Sequence, residues 1–573
     1  MRKYFDIDLA DQVVRTRKLV GDEIARTGRY HIAKTLVEGN VATVDPLSDA
    51  NPLIFSAGPF AGTNMSNANR LSVGCKSPLT GGIKESNAGG NFAVAMGHLS
   101  IAGFTLHGAS PDWTVIRITK EGEIGFEPAE PFMGMGNIEA AKLLFEKYGE
   151  KVSIGLCGPV GEYQGLLAGI AFTDPDGRPT RLAARGGVGA VMGAKKVKAI
   201  VIDLDKAQPM VDRKAFMKGM REYTKILDSQ PGVANLKDRG TAFMADITNL
   251  VGALPVNNFS SGQQVKPSDA PLKMGGEYIR DQNTERGGDN SHPCMPGCQI
   301  KCSNVYMDKG GKEVVSPLEY ETIGLMGTNC GLTEPDDVAQ LNHTANDLGV
   351  DSIELGAMIG VLMEAGIGAF GDLAFMKGVL DDLRSGTNRG RLYAEGTARV
   401  GEHYKVRKVP VIKKQAISAY DPRVIEVTGI SMMTTAQGAD HTAGNLAVYE
   451  CAGKSTEELA EASFNAQVSF AASDALGICI FGRVAADADP ELIADTINNI
   501  HGTQLDAGFM TRIGRETLEL EAAFNEAAGF TVADDELPDF FYEDKLAPSG
   551  KAARHRAREI NSYRYPWQQK NQV

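Results

Sequence analysis

Basic runs, long apolar runs and cysteine are all scarce in this chain, and each scarcity removes a class of function. Lys and Arg number 59 against 72 Asp and Glu, a formal charge of −13. No basic run is available to track a phosphate backbone, so nucleic acid is not an expected partner. The opening MRKYFDIDLADQ holds no apolar stretch of signal-peptide length. The most apolar segment, Ala357 to Met363, is short and flanked by Glu354 and Glu364, so no membrane-spanning helix is expected. The expected location is therefore the cytoplasm. Eight cysteines in 573 residues are not a disulfide framework. In a reducing compartment a local cluster of them points instead to metal or redox chemistry. Low-complexity segments and solenoid periods are also missing, and the length calls for about three or four domains.

Such a cluster exists. SHPCMPGCQIKC places Cys294, Cys298 and Cys302 within nine positions. Thiolates a few residues apart on one loop can converge on one site, as zinc and iron–sulfur clusters both require. Zinc sites usually add a CxxC or HxxxH pair, and none follows. A 4Fe–4S cluster is commonly closed by a remote cysteine, which makes Cys479 in DALGIC the candidate fourth ligand. Pro293 and Pro296 stiffen the loop and remove two amide donors. Cys75, Cys157, Cys330 and Cys451 are isolated and read as packing residues.

Up to about residue 206 the chain is rich in glycine and short extended runs: LIFSAG, WTVIRIT, EIGFEP, KVSIGLCG and KAIVID, with a hairpin turn at 120–122. Beyond it, 335–347, 353–365 and 456–473 carry apolar residues at helical spacing, the last opening with Ser455 and Glu458 at capping-box spacing. The expected fold is α+β. A β-rich first domain spans 1–206, and two mostly helical domains span 207–415 and 416–573. NDLGVD (346–351) and DALGIC (474–479) echo each other, each with a glycine, Gly349 or Gly477, where a helix runs out. Two C-terminal caps explain either one alone. The glycine-rich 69–93 and 181–203 could bring backbone amides and Arg70 or Arg185 against a phosphate ligand, or be tight packing. Neither a dinucleotide fingerprint nor a Walker loop fits the spacing around Gly187, Gly189 and Gly193.

Taken in order, KSPLTG, SNAGG, RGGVGAVMGAKKVKAI, the cysteine trio, EYET, GADHTAG, DALGIC and ELPDFFYED resemble the aldehyde:ferredoxin oxidoreductase family of tungsten or molybdenum bis-pyranopterin enzymes. The resemblance covers nearly the whole chain. It implies a twofold β-structure as a base for the cofactor, covered by two helical domains. It assigns Cys294, Cys298, Cys302 and Cys479 to a 4Fe–4S cluster. Asp474 and its counterpart Asn346, with Asp347, Gly349 and Asp351 beside the latter, are implied pterin contacts, as are Gly477 and Ile478. Arg70, Asn87, Gly89, Arg185 and Gly186 fall where the family surrounds the pterin phosphates and a bridging magnesium. Glu321, with Glu319 as the alternative, and His441 match the acid and histidine beside the metal.

The implied activity interconverts an aldehyde and its carboxylic acid, with ferredoxin or an iron–sulfur subunit as electron partner. Docking of an acidic ferredoxin is expected at Lys301, Lys309 and Lys312. The assembly is expected to be a homodimer or hetero-oligomer. Two alternatives stand beside it: a branch reducing a thioester or aromatic acyl group, and a zinc-stapled scaffold. Departures mark a divergent branch. The cluster spacing is CxxxCxxxC, Asn346 replaces an aspartate, no ExxH pair marks a dimer-interface iron, and a glycine-rich loop is reduced to EIARTGRYHIAKTL.

Overall fold

The computed structural model describes residues 1–565. Twelve strands between residues 2 and 203 form two six-stranded sheets. The first contains β1 (Arg2–Asp8), β2 (Val13–Leu19), β3 (Leu53–Ala57), β4 (Leu71–Lys76), β5 (Ile83–Ala88) and β6 (Ile101–His107). The second contains β7 (Thr114–Ile118), β8 (Ile124–Pro128), β9 (Val152–Cys157), β10 (Ile170–Phe172), β11 (Arg181–Ala183) and β12 (Val197–Asp203). All five extended runs read from the sequence are strands, and Gly122 at φ +84° makes the turn between β7 and β8.

The order is β2-β1-β6-β3-β4-β5 in one sheet and β8-β7-β12-β9-β10-β11 in the other. Adding six to each strand of the first gives the second. The sense of pairing repeats too: β1 runs parallel to β6 and β7 to β12, with every other pair antiparallel. Helices repeat at matching places, Gly28–Glu38 with Asn137–Tyr148 and Phe92–His98 with Val188–Ala194. The first 203 residues are thus one motif built twice. Their apolar faces share a core in which Phe55 stacks on Phe104 at 4.6 Å and Phe92 meets Phe172 edge-on at 5.1 Å. Near-continuous burial along β3, β4 and β9 reflects cover on both faces.

The rest is helical. Helices Pro335–Leu348, Ser352–Glu364 and Thr456–Ala475 lie where the periodicity predicts, and Ser455 and Glu458 form the reciprocal cap. The helical cores draw on distant segments. Helix Arg213–Asp228 packs with Pro490–His501 and Phe509–Ala527, whereas residues 320–433 share a core with 537–560. Among the described residues no helix is long and apolar enough to cross a membrane.

Candidate functional site

NDLGVD and DALGIC are more than helix stops. Gly349 and Gly477 take φ +72° and +70° and turn the chain off their helices. Gly477 O then accepts from Arg70 N–H (3.0 Å) and Asn67 O accepts from Cys479 N–H (2.6 Å). In the other half Gly349 O accepts from Gly169 N–H (2.8 Å) and Leu167 O from Asp351 N–H (3.0 Å). Approach is so close that Gly58 and Gly158, one step past β3 and β9, admit no side chain. A Cβ would stand 2.1 Å from Leu476 O at the first and 2.3 Å from Leu348 O at the second. The two echoing motifs therefore dock equivalently on the two halves of the β-base.

Their acidic positions differ in surroundings. Asp474 Oδ2 lies 3.2 Å from Arg29 Nη1, and Oδ1 accepts from Asn87 Nδ2 at 3.3 Å. Arg29 is 2% exposed and grips Glu521 bidentately at 2.7 and 2.8 Å. Burial, then Glu85, push the Asp474 carboxyl well above the ordinary range despite Arg29. Asn346 is buried with Nδ2 unpartnered, and Ile138 occupies the helical position equivalent to Arg29. An amide in place of the acid matches the loss of its cation. The Asp347 carboxylate accepts from Ile138 N–H (3.0 Å) and Arg384 (2.8 Å), so it caps a helix on the outer side and does not join Asn346. Ile478 N–H is spent on Ser473 O at 2.9 Å.

The candidate phosphate residues gather around these loops. Arg70 clasps Asn87 through its side chain and carbonyl. Arg185 reaches Asp351 Oδ2 (3.4 Å), Ser418 Oγ (3.1 Å) and the carbonyls of Ala439 (2.7 Å) and Ala416. Gly186, at φ +80°, lets the Lys84 stem lie against the backbone.

The four candidate cysteines share one cluster of buried residues. Asn67 ties two of them: its carbonyl accepts from Cys479 N–H, and its Nδ2 donates to Cys298 Sγ at 3.2 Å. Gly90 N–H donates to Cys294 O (2.8 Å), and a Cβ on Gly89 would come 3.3 Å from Cys294 Sγ. Burial, then the neighbouring thiols, push Cys294 up to about 12 and raise Cys302 well above its ordinary value. Burial likewise raises Cys298. Four soft donors with mutual repulsion when ionised fit a metal group, whose binding must expel their protons. The other cysteines are buried away from this cluster, as expected of packing residues; Cys330, for example, faces the Leu325 and Gly356 carbonyls.

EYET divides between two environments. Burial raises the Glu319 carboxyl, with Arg181 and Arg70 opposing it, and Glu319 in turn adds to the upward push on Cys302. Glu321 turns to His441. Its Oε2 accepts from Ala419 N–H (2.9 Å), while Oε1 is buried without a hydrogen bond, 3.4 Å from His441 Nε2. Burial raises the Glu321 carboxyl against the pull of His441 and the Ala419 amide. His441 Nδ1 meets Ser418 Oγ at 2.9 Å. Arg185 Nη1 donates to that same oxygen, and the Ser418 hydroxyl has two acceptors in reach, His441 Nδ1 and, at 3.5 Å, Ala439 O; donation to Nδ1 puts the imidazole N–H on Nε2, toward Glu321. Next door, burial works against the Asp440 carboxylate, but Lys84 at 2.6 Å and Arg185 outweigh it and hold it ionised.

Arg29, Asn67, Ser418 and the Lys84–Asp440 pair were not singled out from the sequence. Arg29 lies inside EIARTGRYHIAKTL, read there as a shortened loop, and Asp440 beside His441 in GADHTAG. No spacing rule marks Asn67 or Ser418, whose partners are more than 20 residues away.

The profile of the aldehyde ferredoxin oxidoreductase N-terminal domain matches residues 4–204, and that of domains 2 and 3 of the same enzyme matches residues 218–565. A tungsten-containing aldehyde ferredoxin oxidoreductase of Pyrococcus furiosus is 30% identical over 90% of this chain and 86% of its own. An aliphatic sulfonate oxidoreductase, WOR-like subunit, of the same organism is 25% identical over 96% of this chain and 90% of its own. Among solved structures, the active site complex BamBC of benzoyl coenzyme A reductase, in complex with 1,5-dienoyl-CoA, superposes with a TM-score of 0.79. That match covers 98% of this chain and 94% of the other at 18% identity, so it speaks for the fold alone. By both of its matched profiles, the chain belongs to the aldehyde ferredoxin oxidoreductase family.

Proposed function

We propose that this protein is a tungstopterin oxidoreductase that interconverts an aldehyde and its carboxylic acid and passes the electrons to ferredoxin or another iron–sulfur partner. The observation that carries the reading is the Glu321–His441 pair at 3.4 Å, with one carboxylate oxygen free. That pair is linked through Ser418 and Arg185 to one of two equivalent cofactor loops. Asp474, Asn346, Asp351, Gly477 and Ile478 would hold the pterins, Arg70, Asn87, Gly89, Arg185 and Gly186 their phosphates with magnesium, and Cys294, Cys298, Cys302 and Cys479 a 4Fe–4S cluster. When bound, the tungstopterin supplies a two-electron acceptor and the cluster a one-electron exit.

The residues present can do the rest. Glu321 Oε1 takes the proton of a water or hydrate, because Oε2 is already satisfied and burial makes the carboxylate a stronger base. When Ser418 donates to Nδ1, His441 carries its proton on Nε2 and hydrogen-bonds the substrate oxygen. Tyr420, 5.7 Å from the imidazole, walls the pair. Glu321 is preferred to Glu319 as the base because its Oε1 lies 3.4 Å from His441 Nε2. For the partner, Lys301 adjoins Cys302, but strand Ser303–Met307 carries the chain about 17 Å away before Lys309 and Lys312. The docking charge is therefore Lys301 and its neighbours.

The likeness to BamBC keeps one second reading, reduction of a thioester or aromatic acyl group. The test is anaerobic purification, analysis for tungsten, molybdenum, iron, zinc and sulfide, then viologen-coupled assays with aldehydes and with acyl-CoA thioesters. Aldehyde turnover that collapses in Glu321→Gln with metals retained supports the first reading. Turnover of thioesters alone supports the second, and zinc without sulfide or tungsten refutes both.

A further inference from the structure

We propose that Asp174, Asp176 and His292 form a site for one divalent transition-metal ion, with zinc the best match, pinning the cysteine loop to the second half of the β-base. The three ligand atoms, Asp174 Oδ2, Asp176 Oδ2 and His292 Nε2, all lie within 4.8 Å of one another. His292 sits two residues before Cys294 with a side chain only 7% exposed, and its Nε2 is buried without a hydrogen bond.

The separations decide what the group is for. His292 Nε2 lies 3.6 Å from Asp174 Oδ2 and 3.5 Å from Asp176 Oδ2. Those are too long for hydrogen bonds. Bonds of 2.0–2.2 Å to a tetrahedral zinc put its ligand atoms about 3.3–3.6 Å apart, which is the spacing seen. Behind the ring, Asp289 Oδ2 is 3.6 Å from Nδ1, the side on which a metal-bound histidine usually keeps a carboxylate. Asp174 Oδ1 is occupied by the amides of Asp176 and Arg178, both at 2.9 Å, which fixes the loop and turns Oδ2 toward the histidine.

Charge points the same way. Among the described residues, the ion pairs of Asp174, Asp176 and Glu313 are made with Arg178, Arg181 and His292, and that of Asp289 with His292. Arg178 Nη1 contacts the same two oxygens, at 3.2 and 2.7 Å, and competes for the ion's place. It has a second anchor, since its Nε and Nη2 hold Glu313 at 2.7 and 3.0 Å. It can yield without losing its partner.

The test uses the whole protein with its iron and sulfide verified, treated with EDTA and then titrated with Zn2+. Wild type should take up one equivalent beyond its other metals. Asp176→Asn, a change at the exposed ligand that spares the fold, should weaken uptake at least about tenfold, and His292→Gln should abolish it. Arg178→Gln should bind more tightly, because the competing cation is gone. Wild type that takes up no zinc overturns the proposal, as does uptake left unchanged by Asp176→Asn. None of these readings depends on tungsten or turnover.

Discussion

Asn346→Asp is the most direct trial of the idea that the two halves diverged around one arginine. The variant would give the second cofactor loop the carboxylate that Asp474 gives the first. Asp474 has Arg29 beside it, whereas the second half has Ile138 at the equivalent helical position. Arg384 is already held on the outer side by Asp347. The new carboxyl would be buried and unpaired, so its pKa in the folded protein should rise by about two to three units. At about 1.4 kcal/mol per unit the loss at pH 7 is about 3–4 kcal/mol. A raised carboxyl favours the protonated folded state, so the penalty is fully present above the folded pKa and disappears below the unfolded one, about 3.9. The denaturation midpoint of the intact protein, compared at pH 7 and pH 5, should therefore show a deficit that shrinks by roughly half or more on acidification. Adding Ile138→Arg, at a position 38% exposed and open to a long side chain, should restore most of it. A variant as stable as wild type at pH 7, or no rescue by the arginine, would refute the reasoning.

Three further outcomes are expected. Ser418→Ala removes the hydrogen-bond partner of His441 Nδ1; kcat should fall up to about a hundredfold and the pH profile should move, with iron and tungsten content unchanged. Because burial raises the Glu321 carboxyl, turnover should be lost as pH falls through a limb lying above the usual carboxylate range, and Glu321→Gln should erase that limb along with most of the rate. Gly58→Ala would drive a Cβ to 2.1 Å from Leu476 O; displacing DALGIC should cost iron, measured against sulfide, as severely as Cys479→Ser does.

What the sequence disclosed, and what it withheld, follows from the range of the interactions. Strand and helix positions depend on local alternation and capping, and EIGFEP or the Ser455–Glu458 cap can be read from a few neighbours. The cysteine trio is local too. Cys479 could be tied to it only by the DALGIC echo and by resemblance, since the contact is made through Asn67, far from both. The duplication, implied in the sequence only by the family resemblance, is exposed by strand order, the sense of pairing and the matching helices, because each half packs different side chains on the same topology. Two carboxylates of EYET, two residues apart, look interchangeable in sequence. A short helical turn from Tyr320 sends Glu319 and Glu321 to different neighbours, one to the cysteines and the other to His441.

The duplication also places two different side-chain environments on one scaffold. Each half receives a loop that ends a helix, turns at a left-handed glycine and pairs with the base two residues later. At that last position one half has Cys479 and the other Asp351. The cysteine points into the thiol cluster, where electrons would leave. The aspartate meets Arg185, which donates to Ser418, whose hydroxyl in turn meets His441 Nδ1 beside Glu321. The docking is made by backbone groups and by glycines that cannot accept a Cβ, while the side chain at this position has its own task in the second half, where Asp351 Oδ1 caps helix Ser352–Glu364 by accepting from Ile353 N–H at 3.0 Å. Divergence at this position of a repeated motif gives the two halves different surroundings, thiols around Cys479 and Arg185 beside Asp351, on a base whose strand order is the same in both.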